Sequence, residues 1–261
     1  MLDDARWAAA RLLLRTAGRT SRGIRIGYRH GFDSGTMLDY VYENRSHGVL
    51  GAGRLIDRVY LNAVGWRAIR ARAVLLKRTL REEAARRGHP LKILDVAAGP
   101  GRYLQEFLAE DTSRHAHRVL CRDLAPAGLR RGAATAAERR LLNIAYERGD
   151  AFAPEPPAFG PPDVIVVSGL YELLLDDEVI RASMASLREL LAPAGTLVFT
   201  TQTRHPQLDF IANVLPNRYG ERWVMKCRPA GETEVWAKEA GFTDVASRVE
   251  DVGLFAVTTA R

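Results

Sequence analysis

The feature that most constrains this chain is a run of small residues, Asp95-Val96-Ala97-Ala98-Gly99-Pro100-Gly101, set between an apolar stretch and an amphipathic one. Lys92–Val96 has the length and apolar character of a buried strand, and residues 101–109 carry apolar groups at helical spacing. A strand that turns through small residues into a helix lets a ligand come close to the backbone. The first turn of that helix then offers it unpaired N–H groups. A dinucleotide-binding loop would want a third glycine where Leu104 stands, which argues against that class of site.

From Leu91 onward, short apolar runs alternate with amphipathic ones. The runs predict strands at Lys92–Val96, Arg118–Asp123, Ile144–Arg148, Asp163–Val167, Thr196–Thr201, Thr243–Val249 and Gly253–Thr259. Helices fit Gly101–Ala109, Leu124–Arg140, Asp176–Leu191 and Glu232–Ala240. Strands separated by helices imply an α/β fold, a doubly wound and mostly parallel seven-stranded sheet with right-handed crossovers. The last two runs are separated by only a few residues, so they predict a hairpin and one antiparallel strand.

The preceding residues read differently. Residues 3–17 predict a short helix. Residues 18–53 are rich in glycine and aromatics and predict a cap or lid with one helical turn around Met37–Asn44. Residues 54–87 step in threes and fours, as a long amphipathic helix interrupted near Gly65 would. Gly88-His89-Pro90 stops it, which divides the chain into an N-terminal helical cap over 1–88 and the α/β domain over 89–261.

Charge follows the same division. Residues 1–90 hold 18 basic against 8 acidic side chains, and the remainder holds 20 against 23. A basic N-terminal third suits solvated helix faces, a nucleic acid, or peripheral contact of residues 1–30 with anionic lipid. No apolar run approaches the roughly 18 residues of a membrane span. The N-terminus lacks the pattern of a secretory signal, so the expected location is cytoplasmic. Two cysteines make neither a disulfide framework nor a metal cluster, and Cys121 reads as core. No metal site is expected.

In open α/β sheets, ligands bind outside the carboxyl ends of the strands. Asp123 ends the second strand, where a carboxylate can accept hydrogen bonds from both hydroxyls of a ribose. Gly149-Asp150-Ala151-Phe152 follows the third; Asp150 can accept from an amino group of a base, and Phe152 can pack on its face. Either aspartate alone reads equally well as a turn former or helix cap.

The series ILDVAAGPGRY, CRDL, RGDAF and LAPAGTLVF, over roughly residues 91–200, resembles the motifs of class I S-adenosylmethionine-dependent methyltransferases. Ala97 stands where that family usually has glycine. The resemblance implies a Rossmann-like fold with S-adenosyl-L-methionine as cofactor. Asp95 would order the loop and the amino-acid end of the cofactor, Asp123 would hold the ribose, and Asp150, Ala151 and Phe152 would meet adenine. Ala97, Ala98, Gly99, Gly101, Leu124 and Ser168 complete the implied contacts. Arg22–Arg45, Arg204–Leu215 and Arg222–Glu232 further resemble a bacterial methyltransferase family whose members are often fused behind an α/β-hydrolase domain. Arg204 stands where an aromatic is more usual in that family.

Methyl transfer from a sulfonium needs alignment and exclusion of water, and needs a base only when the acceptor loses a proton. The fourth predicted strand leads into Ser168-Gly169-Leu170-Tyr171-Glu172, which resembles neither an amino-purine nor a cysteine-dependent site. Tyr171, Glu172 and His205 are the acid–base candidates. Tyr28, His30, Tyr40 and Tyr42 are candidates for a lid over cofactor or acceptor. A small-molecule or lipid-like acceptor methylated on oxygen or nitrogen is expected. The alternatives are an RNA methyltransferase using the basic N-terminal region, and a non-catalytic S-adenosylmethionine-binding module.

Overall fold

The structure is a computed structural model that describes residues 2–110 and 116–261. The chain divides into two compact units. One comprises residues 1–70 and 205–225, the other residues 71–204 and 226–261. The division differs from the break in sequence pattern at 88/89, because the helix Val64–Arg87 runs from one unit into the other and residues 205–225 return to the first.

The second unit holds seven strands: β1 (Lys92–Val96), β2 (Arg118–Asp123), β3 (Ile144–Arg148), β4 (Val164–Val167), β5 (Thr196–Gln202), β6 (Val245–Val249) and β7 (Phe255–Ala260). Their order is β3-β2-β1-β4-β5-β7-β6. All neighbours among β1 to β5 run parallel, while β7 is antiparallel to both β5 and β6. Central strands β4, β5 and β7 are buried along their whole length, as strands covered on both faces must be. Edge strands β3 and β6 alternate between half-buried and exposed positions.

Three helices follow strands, two of them with local start signals. They are α6 (Arg102–Glu110), α7 (Pro126–Glu138) and α8 (Asp177–Leu190), numbered after the helices of the first unit. Pro126 occupies the first turn of α7, where its missing N–H costs nothing, and Asp176 caps α8 by accepting from the Glu178 N–H at 3.0 Å. α8 and α10 (Ala230–Glu239) bury Ile180, Met184, Leu187 and Trp236 with Leu94, Ile165, Val167, Leu197 and Phe199 of the sheet. Glu83, 1% exposed, accepts from Arg86, Arg261 and the Thr196 hydroxyl, which ties the preceding helix to β5 and the end of β7.

The first unit is more helical than its glycines predict. It contains α1 (Leu2–Arg15), α2 (Arg22–His30), α3 (Gly35–Glu43), α4 (Leu50–Leu61), the start of α5 (Val64–Arg87) and α9 (Leu208–Val214). The expected single turn at Met37–Asn44 is part of a complete helix, and the expected break near Gly65 falls at Asn62–Ala63. Serines start two of these helices. Ser21 accepts from the Ile24 N–H at 3.1 Å and Ser34 from the Met37 N–H at 3.2 Å. Glycine here permits close packing: a Cβ on Gly27 would lie 2.3 Å from the Phe32 ring. Asp33 receives both the backbone and the guanidinium of Arg218, and Trp66 stacks on Trp223, which fastens residues 205–225 to this unit.

Candidate functional site

Register brings the candidate residues to one edge of the sheet. Asp95 lies opposite Cys121 and Val166, Cys121 opposite Tyr146, and Asp123 opposite Arg148. The loop after β1, Asp123 after β2, Asp150 after β3 and Ser168 after β4 therefore all leave the carboxyl edge. β1 lies between β2 and β4, so the sheet order reverses there, the position at which open α/β sheets bind their ligands.

The loop itself is tightly bent. Ala97, Gly99 and Gly101 all have positive φ (57°, 55° and 62°), and Ala97 is the one with a side chain to strain. A Cβ on Gly101 would sit 2.7 Å from the Cys121 Sγ, and one on Gly132 of α7 would sit 2.4 Å from the Tyr146 ring and 2.7 Å from the Pro100 carbonyl. Gly101 lets the Cys121 side chain pack against the loop, and Gly132 lets the Pro100 carbonyl approach α7. Behind it, the Gln105 side-chain amide donates to the Gly132 carbonyl at 2.9 Å and to the Tyr146 hydroxyl at 2.7 Å; that hydroxyl donates to the Pro100 carbonyl at 3.2 Å. Gln105, Tyr146 and Gly132 are loop supports that the sequence reading missed.

Asp123 holds the loop from the front. Its Oδ2 accepts from the Gly99 N–H at 2.8 Å and its Oδ1 from the Ala125 N–H at 2.7 Å. Each oxygen keeps a further lone pair. Asp150 accepts from the Phe152 N–H at 2.9 Å, a local turn that fixes residues 150–152. Ala151 is buried, whereas Phe152 is 44% exposed and Leu124 is 52% exposed. Two large apolar side chains thus stand in the open on loops that follow neighbouring strands.

Asp95 is 1% exposed, and both of its carboxylate oxygens lack a well-formed hydrogen bond among the described residues. Burial pushes its pKa up to about 8; the Tyr103 hydroxyl opposes the rise, Asp123 adds to it, and Arg72 opposes it. Between the ordinary carboxylate range and about 8, the folded chain holds a proton that the unfolded chain has released. Stability is then fully present at acid pH and declines as pH rises toward the folded value, by up to about 1.4 kcal/mol per pH unit. Urea unfolding followed from mildly acid to mildly alkaline pH should show this decline, and Asp95→Asn should flatten it. An equal slope in the variant would contradict the assignment.

The segment after β4 is held by two arginines that the sequence reading also missed. Arg72, 2% exposed, pairs with Glu172 at 3.1 Å and lies 4.6 Å from the centre of the Phe255 ring. Arg228, also 2% exposed, donates to the carbonyls of Tyr171 (2.9 Å) and Leu174 (2.6 Å) and to the Asp177 carboxylate. The signals were present. Arg72 interrupts the apolar stripe Ile69, Ala73, Leu76, and Arg228 lies inside the motif Arg222–Glu232.

Several candidate roles change with this geometry. Tyr171 is 2% exposed in the core beside Phe199, its hydroxyl is bonded to Ser183 at 3.2 Å, and burial pushes its pKa up. This corrects its reading as a proton carrier. Glu172 is buried with its pKa raised by that burial against the pull of Arg72; its Oε2 has no hydrogen-bond partner among the described residues. His205 belongs to the first unit, where its Nδ1 accepts from the Gln207 N–H at 3.1 Å and burial lowers its pKa. The neutral ring then carries its proton on Nε2, so neither nitrogen is a free base.

The lid candidates also lie in the first unit. Tyr40 is 1% exposed and donates to Asp57, so it is core, which corrects its place in a lid. Tyr28 packs edge-on against Phe32 at 5.4 Å, Tyr42 is half-buried and His30 is exposed at the end of α2.

Over all 261 residues, 1–261, the chain matches the family model described as "Putative methyltransferase". It belongs to this methyltransferase family. A relative, the uncharacterized protein YnbC of Escherichia coli (strain K12), is 38% identical over 98% of this chain and 45% of its own length. The ubiquinone biosynthesis O-methyltransferase of Cereibacter sphaeroides (strain ATCC 17029) is 31% identical over 57% of this chain and 53% of its own length. The chain thus spans about half the length of the curated relatives it matches. A solved structure, a possible exported protein from Bordetella parapertussis, shares the fold with a TM-score of 0.68 at 22% identity, covering 86% of this chain and 78% of that one. Solved S-adenosylmethionine-dependent methyltransferases share the same Rossmann-like fold at lower identity.

Proposed function

We propose that this methyltransferase uses S-adenosylmethionine, bound across the loop at residues 95–101 and the ends of β2 and β3. The carrying observation is the carboxyl edge itself. A backbone turn of three positive-φ residues is tied to a carboxylate that keeps lone pairs free, and two exposed apolar side chains stand beside it. Asp123 would accept from the ribose hydroxyls while still holding Gly99. Leu124 and Phe152 would cover the faces of the adenine, with Asp150 accepting from its amino group. Close approach at Ala97, Ala98, Gly99 and Gly101 would seat the amino-acid end, and the enclosed Asp95 fits a cationic ammonium near it. Ser168 would border the site after β4.

The cofactor supplies a methyl group on a positively charged sulfur, open to in-line attack. What the chain must add is alignment and dryness. Arg72 and Arg228 hold residues 171–177 in one conformation, which fixes the wall beside the acceptor. Where the acceptor loses a proton, Glu172 is the residue to take it. Among the three acid–base candidates it alone keeps an oxygen without a partner, and a carboxylate with a raised pKa is the stronger base. The acceptor class that fits is a small or lipid-like molecule with an oxygen or nitrogen nucleophile.

Thermal unfolding in the presence of S-adenosylhomocysteine tests this reading. At about 100 times its dissociation constant the ligand adds about 2.7 kcal/mol, a rise of roughly 5–10 °C for a domain of this size. NAD should give none. Equal shifts with both ligands, or no shift with S-adenosylhomocysteine, would contradict the assignment.

A further inference from the structure

The first unit presents an apolar edge that its own core does not use. α4 is entered through Val49 and Leu50, 52% and 83% exposed, and continues with Leu55 at 64% and Val59 at 67%. Ala52, Leu55 and Val59 are spaced by three and four residues, so they form one stripe along the helix, while Gly53, Asp57 and Leu61 take the buried side. Leu50 has φ of 58°, a region disfavoured for any residue with a Cβ, yet its side chain is held out at the tip of the helix. Arg54 and Arg58 flank the stripe; both are exposed, and neither side chain makes a hydrogen bond or ion pair among the described residues.

The charge around this edge is one-sided. The first unit carries 14 basic against 8 acidic residues, and the second 24 against 23. Of those eight, Asp39 and Asp57 are buried and Asp33 is paired with Arg218. α2, which packs on α4, adds exposed Arg22, Arg25 and Arg29.

We propose that this face of α4 docks on an anionic phospholipid bilayer. Val49, Leu50, Leu55 and Val59 enter the acyl boundary, and Arg54 and Arg58 meet the headgroup phosphates. A ridge of protruding side chains suits a fluid apolar layer. A second copy of the chain would bring the same positive charge against it, and a nucleic acid would leave the leucines in water. The contact lies on α4, beyond the residues 1–30 to which the charge pattern alone points.

Flotation with vesicles of phosphatidylcholine alone, and of equal parts phosphatidylcholine and phosphatidylglycerol, tests this at low and high salt. The protein should float only with the anionic vesicles, and less at high salt. Leu55→Asp/Val59→Asp should lower the bound fraction about tenfold. Arg54→Gln/Arg58→Gln, which leaves the apolar stripe intact, should lower it by a similar factor and weaken the salt dependence. Leu142→Asp, at an 88% exposed leucine of the second unit, should change nothing. Equal binding to both vesicles would overturn the proposal, as would loss on Leu12→Asp/Leu13→Asp without loss on the α4 variants. So would a dimer that dissociates in Leu55→Asp/Val59→Asp, or capture of RNA without capture of vesicles.

Discussion

Alanine in place of Asp57 will destabilise the first unit by about 4 kcal/mol. Asp57 is fully buried, and four donors converge on it. They are the Ser21 hydroxyl at 2.5 Å, the Gly23 N–H at 2.7 Å, the His47 N–H at 2.8 Å and the Tyr40 hydroxyl. The carboxylate thus gathers the start of α2, the middle of α3 and the loop before α4 onto one side chain of α4. Deleting it strands two hydroxyls and two backbone N–H groups in an enclosed space, and each orphaned donor costs roughly 1–3 kcal/mol before relaxation. The Asp57→Asn variant should recover part of the loss, because an amide carbonyl oxygen accepts two of these bonds while the amide nitrogen adds donors to a site that already has four. Urea unfolding read by tryptophan emission reports on this unit, which holds Trp7, Trp66 and Trp223. A loss below about 1 kcal/mol would mean that the hub is incidental.

That hub also shows where the sequence was legible and where it was not. The strands of the second unit were readable nearly residue by residue. Runs such as Val164–Val167 are continuously apolar and bounded by Pro, Asp or Gly, a pattern carried by adjacent residues. The turns at two strand ends are local in the same way: Asp123 accepts from the Ala125 N–H and Asp150 from the Phe152 N–H, each two residues on. In residues 18–53 the glycines looked like bends. Several of them instead let α2 and its neighbours pack closely, and the caps at Ser21 and Ser34 were the local signals of helix. α9 has seven residues, too few for a periodic pattern. Arg72 and Arg228 reach partners 100 and 57 residues away, and no local pattern specifies such a contact. Their one trace was a charge on an apolar stripe and a place in a family motif.

Removal of the Asp123 side chain is the second large effect. Its carboxylate holds the Gly99 and Ala125 N–H groups, and under the proposed function it would also accept the ribose hydroxyls. Alanine loses the charge-assisted bonds to the ligand and also loosens the loop against which the ligand rests. The combined cost is about 3 kcal/mol, or roughly 100-fold in affinity. Asparagine keeps one oxygen and should fall between. Stability should suffer less than binding, because Asp123 is half-buried and solvent can replace part of its bonds. Calorimetric titration of S-adenosylhomocysteine into the native chain and into Asp123→Ala therefore tests the account most directly. The native chain should bind one equivalent, and the folded variant should bind about 100-fold more weakly. Undiminished binding by Asp123→Ala, or no binding by the native chain, would contradict it.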